Sequence, residues 1–202
     1  GASAVASADT FQDMNNNLYA TYQYTGLNGS SAQEASNYGI GGTFQSKNNV
    51  WFNANALSGT NNSTTSSSLG FAAGYAFQFF GDENQGSQVI PHANFGAQNG
   101  AQVSTVSSAG TQYIYGLGVK PEYRLLNSLK VAVDMNLMGT QSSLNGNSTQ
   151  LFVFAVTPGI QYDISKTVLL GLDYTYAAPF NDNSNTAPNG VSQVTAKVGY
   201  LF

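Results

Sequence analysis

Leu69, Phe71, Ala73, Tyr75, Phe77 and Phe79 alternate with Gly70, Ala72, Gly74, Ala76 and Gln78 over one unbroken stretch. A period of two places alternate side chains on opposite faces of an extended strand, and the 3.6-residue repeat of a helix cannot reproduce it. The pattern recurs along the chain and predicts ten strands, near residues 16–25, 37–45, 50–56, 69–79, 89–98, 112–124, 129–138, 152–162, 168–176 and 192–202. Each has one face of large apolar residues and one of small or polar residues. In the first, Leu18, Ala20, Tyr22 and Tyr24 oppose Asn17, Tyr19, Thr21 and Gln23; in the last, Val194, Ala196, Val198, Tyr200 and Phe202 share a face. No core-forming helix is predicted.

Which face meets solvent is decided by charge. Only 8% of residues are charged, against roughly 25% in an ordinary soluble domain, so neither face can serve as a normal hydrated surface. A soluble sandwich would turn its apolar face inward and a charged face outward, and these strands lack the second. No segment reaches the 18 or more apolar residues of a spanning helix. A membrane-spanning form must therefore use strands, closed on themselves so that no unpaired edge meets lipid.

The connections alternate in length. Short ones fall near residues 46–49, 126–128 and 163–166, with a compact one at 81–88; longer ones fall at 26–36, 58–67, 99–110, 140–149 and 177–190. That alternation predicts an all-β, closed antiparallel transmembrane barrel of ten strands, with short periplasmic turns and long extracellular loops. An even strand number puts both termini in the periplasm, with residues 1–14 as a periplasmic segment of a single barrel domain. Tyr22, Tyr24, Tyr38, Tyr113, Tyr115, Tyr174 and Tyr176 fall near the long-connection ends, and Tyr123, Tyr162 and Tyr200 near the short-turn ends. These two latitudes suit the two interfaces of a bilayer.

With its alternating staves and its terminal aromatic, the chain resembles the small outer-membrane β-barrels of Gram-negative bacteria over residues 16–202. The resemblance implies an outer-membrane location, contact with lipid and lipopolysaccharide, and insertion by the barrel-assembly machinery. It also implies that Phe202, with Tyr200 and Val198 on the same face, acts as an assembly signal.

Function must come from the inward face. Ten strands tilted by about 40° enclose a backbone radius of roughly 9 to 10 Å, so large inward side chains would fill the lumen. Gly116 and Gly118, with other small residues, leave room for a narrow passage. Equally, they can make room for inward Tyr19, Trp51, Ile114, Val153 and Leu169, giving a filled core.

Inward charges are few: Lys120, Glu122, Arg124, Lys130, Asp134, Asp173 and Lys197. Lys120 and Asp134 fall at similar depth on neighbouring strands, as do Asp173 and Lys197, so ion-pair networks or a mixed-charge constriction are expected. His92, Asn94 and Asn136 add inward polar groups. His92 is the sole histidine, so it completes neither a typical metal cluster nor a visible Ser-His-carboxylate constellation. Proteases of the resembled class gather acidic and histidine groups at the outer rim, whereas the long connections here carry mainly Glu34 and Asp182.

No enzyme, cofactor or metal is expected. Six basic residues and a net charge of −4 leave no footprint for nucleic acid. The leading expectation is a monomeric, weakly selective passage of porin type for water, ions or very small hydrophilic solutes. The alternative is a closed structural or surface-display, adhesin-like envelope barrel without transport.

Overall fold

The computed structural model describes residues 11–27, 30–61, 64–81, 85–99, 111–144, 147–179 and 190–202. Helix α1 (Phe11–Asn15) leads into β1 (Asn17–Leu27), β2 (Ser30–Gln45), β3 (Val50–Asn61), β4 (Thr64–Tyr75) and β5 (Phe77–Gly81). Then come β6 (Gly86–Asn99), β7 (Thr111–Leu126), β8 (Leu129–Leu144), β9 (Asn147–Asp163), β10 (Val168–Pro179) and β11 (Val191–Leu201). Apart from β4 and β5, which both pair with β6, each strand pairs antiparallel with its sequence neighbours. The sheet closes where β1 meets β11 over an unbroken ladder from Asn17↔Leu201 to Leu27↔Val191.

Eleven strands make ten staves, because β4 and β5 are one stave interrupted at Ala76. Both pair with β6, and Gly74↔His92 and Phe77↔Val89 lie in a single register. Pro91 falls at the gap, and a proline has no N–H for the ladder. The Ala76 amide instead donates to the Asn49 carbonyl at 2.8 Å. The β7–β8 ladder likewise skips Lys120 and Pro121, and β9–β10 skips Thr157 and Pro158, each without a change of register. Closure on both sides holds each stave in place, so a missing hydrogen bond does not become a slip.

Side-chain parity follows the alternation and inverts the arrangement of a soluble protein. Outward Leu117 and Ile40 are 70% and 69% exposed, while inward Trp51 and Leu169 are 3% and 2% exposed. An apolar exterior of this extent requires an apolar solvent, and closed pairing satisfies the backbone within it. The chain forms an outer-membrane-type barrel.

Aromatic rings mark both ends of the apolar belt. Tyr22 and Tyr38 pack at 5.2 Å between centroids toward the outer end. Tyr75 and Phe77 (4.9 Å) and Phe80 and Tyr123 (6.0 Å) meet toward the short-turn end. Tyr22 and Tyr174 also hydrogen-bond Ser36 and Ser192, each at 3.1 Å.

The structure departs from the sequence reading in two respects. The connections at 26–36, 58–67 and 140–149 are mostly strand: β1 and β2 reach Leu27 and Ser30, β3 and β4 reach Asn61 and Thr64, and β8 and β9 reach Leu144 and Asn147. Runs of Ser, Asn and Thr gave no apolar contrast from which to see strand there. From Tyr38 to Ser30, β2 rises roughly 20 Å above the outer girdle for a strand tilted by about 40°. The expected loops at 99–110 and 177–190 lie largely outside the described residues. The second departure is α1, a helix seated in the short-turn mouth where no core-forming helix is expected; residues 1–10 of the expected periplasmic segment lie outside the described residues.

Candidate functional site in the barrel lumen

The short-turn end of the lumen is filled by a polar network around Glu122, which is 2% exposed. One carboxylate oxygen accepts from Asn15 (3.0 Å) and Gln88 (2.7 Å), and the other from Lys120 and Lys130, both at 3.3 Å. Lys130 also donates to the Asn15 side-chain oxygen. Asn15 donates to Gln45 at 2.7 Å, and Gln45 and Gln88 exchange amide hydrogen bonds at 3.0 and 3.1 Å. These residues come from α1, β2, β6, β7 and β8, so the network spans the mouth.

α1 is tied in along its length. Its Met14 carbonyl accepts from Asn17 (2.9 Å) and Gln161 (3.0 Å), and Gln12 donates to Asn49 at 3.2 Å. Met14 is fully buried, and the Phe11 ring lies beneath the Arg124 guanidinium, 5.5 Å from centroid to carbon. Arg124 also donates to the Gln85 carbonyl at 3.2 Å. At the seam, the Asn16 side chain both accepts from the Gln45 amide (3.0 Å) and donates to the Gln45 carbonyl (3.2 Å). The Phe202 amide donates to the Asn16 carbonyl at 3.1 Å. Buried charges become tolerable only when paired and hydrogen-bonded in this way.

Above this floor is a cavity of about 450 Å³, which reaches Gln23, Ser68 and Gln98 toward the outer end. Its charged lining is Lys120 and Asp134 on β7 and β8, Asp173 and Lys197 on β10 and β11, and Lys130 of the floor network. Asp173 and Lys197 form the expected pair at 2.6 Å, with the Lys197 ammonium 5.0 Å from the Tyr19 ring centre. Gly159 and Gly171 provide the room: a Cβ on the first would meet Asp173, and on the second Lys197.

Asp134 does not pair with Lys120. It takes His92 Nε2 at 2.8 Å, while His92 Nδ1 meets Asn94 at 2.9 Å and Asn94 donates to Asn136. His92 on β6 reaches β8 by lying across Gly118 on β7, where a Cβ would meet both His92 and Asn136. At Gly116 a Cβ would meet Met138 and the Leu137 carbonyl. These two glycines therefore do not hold open a passage; neighbouring side chains and backbone occupy the space. Gly118→Ala should cost about 1–3 kcal/mol by overpacking, read as a lower urea midpoint for the barrel in detergent micelles. An unchanged midpoint would mean that His92 moves aside freely.

The sequence reading missed Asn15, Gln45 and Gln88. The two glutamines had inward parity beside turns. Asn15 follows Phe11 and Met14, an i, i+3 apolar pair that is the sole trace of α1 in a segment too short for helical periodicity. Tyr200 and Phe202 point outward, as expected.

No protein-family model and no curated protein matches this chain. Among solved structures it is similar in shape to Ail, the attachment invasion locus protein of Yersinia pestis (12% identity, 92% of this chain and 95% of that one, TM-score 0.42). It is likewise similar to the outer membrane protease OmpT of Escherichia coli (8% identity, 93% and 94% covered, TM-score 0.49) and to KdgM porin (9% identity, 91% and 99% covered, TM-score 0.42). Likenesses this distant carry no argument about activity.

Proposed function

We propose that this protein is a closed envelope barrel that contributes to the wall of the outer membrane and displays a strand-built surface beyond it, without conducting. One observation carries the reading: the short-turn mouth is filled by α1 and the Glu122 network. A narrow passage would need a wet path there, but Met14, Asn15, Gln45, Gln88, Glu122 and Lys130 are all buried. The rise of β2 and β3 above the outer girdle supports a display role.

The reading is non-catalytic, supported by the engagement of both His92 ring nitrogens with structural partners. Lipid and lipopolysaccharide are the proposed surroundings of the apolar belt, and the assembly machinery the proposed partner of the Tyr200 and Phe202 face. The test is reconstitution of the full chain in a planar bilayer at neutral pH. The expected result is a silent baseline at moderate voltage, and steady, reproducible conductance steps would overturn the closed reading.

A further inference from the structure

The β7–β8 register, carried by Val119↔Met135 and Glu122↔Ala132, sets Lys120 directly opposite Asp134 on the inward face. Opposite charges so placed would ordinarily satisfy one another. Here they turn apart: the Lys120 ammonium goes down to Glu122 at 3.3 Å, and Asp134 goes sideways to His92 at 2.8 Å. Neither is used up. Asp134 spends one oxygen on His92 and Lys120 makes one ion-pair contact, and their side chains remain 27% and 24% exposed to the cavity. Thr157, paired with Asp134 in the β8–β9 ladder, lines the same wall.

We infer that this cavity is a binding site for a small zwitterion, its ammonium on Asp134 and its carboxylate on Lys120. The two groups present adjacent opposite charges with unspent hydrogen-bonding capacity on one wall of the cavity. The other charged lining groups are already paired, Asp173 with Lys197 and Lys130 with Glu122, so a simple anion on Lys120 lies beside Asp134 and a simple cation on Asp134 lies beside Lys120. A ligand carrying both charges meets a partner for each, and in a confined site such charge-assisted contacts outweigh those made in water. The cavity volume lies within the range of small-molecule sites.

The chain carries its own reporter. Trp51 is the sole tryptophan, and the Lys120 ammonium sits 5.5 Å from its ring centre. The full chain in detergent micelles is titrated with γ-aminobutyrate, acetate, ethylammonium and glycerol, following Trp51 emission and, in parallel, calorimetric heat. The inference expects a saturable response to γ-aminobutyrate, with acetate and ethylammonium weaker by about tenfold or more. Asp134→Asn and Lys120→Gln should each weaken it by a similar factor. Asp134→Asn keeps an oxygen for His92, so it tests the idea even if Lys120→Gln fails to give a heat-resistant barrel. Saturation by neither readout, a glycerol response as tight as that of γ-aminobutyrate, or undiminished binding in Asp134→Asn would overturn it. None of these outcomes depends on whether the full chain conducts.

Discussion

Glu122→Ala is expected to lower barrel stability by about 3–5 kcal/mol, because it leaves buried positive charge without its counter-charge. The removed carboxylate accepts from two ammonium groups and two amides, and Lys130 is 5% exposed, so water cannot replace it. Asp173→Ala is the contrast. Its ion pair with Lys197 is about a quarter exposed on each side, so the cavity's water can take over and the cost should stay near 1 kcal/mol or less. Urea midpoints in micelles decide between them. Glu122→Ala/Lys130→Ala should recover part of the loss by deleting the orphaned ammonium. Equal midpoints for the two single variants would show that water already reaches Glu122.

Deleting residues 1–15 is expected to open a conducting path through the short-turn mouth. The deletion removes Phe11, Met14 and Asn15, hence the apolar contact beneath Arg124 and the amide that links Gln45 to Glu122. Among the described inward side chains, what remains at the mouth is Lys120, Arg124 and Lys130 against Glu122 and Asp163. Three positive charges less two negative leave one positive, so the opened mouth should weakly prefer anions. Single-channel steps and a reversal potential under a salt gradient read this out. A deletion variant that folds to a heat-resistant barrel but stays silent would place the seal in the Gln45–Gln88 pair instead of in α1.

Much of the wall was legible from residues alone. Strand number, closure of the last stave on the first, and the outward parity of Leu18, Ile40, Phe71, Leu117 and Val198 all follow from a period of two that a backbone cannot evade. The upper staves were not legible, since Ser, Asn and Thr on both faces give alternation no contrast. α1 was not legible because five residues hold barely one helical turn.

The candidate site divides in the same way. That Lys120, Glu122, Asp134, Asp173 and Lys197 face inward was readable from parity, and the Asp173–Lys197 pair from neighbouring depth. The partner of Asp134 was not. It is His92, two staves away in the wall, and only the missing side chain at Gly118 lets the imidazole cross to it.

The sequence by itself determined which side of the wall each residue occupies, because side-chain parity is local to a strand, and that was enough to select lipid for the exterior. Tertiary structure alone decided that the short-turn mouth is filled. That depends on where side-chain tips from α1, β2, β6, β7 and β8 converge, and convergence is set by the closed barrel's narrow radius, a property of all ten staves together and of none singly.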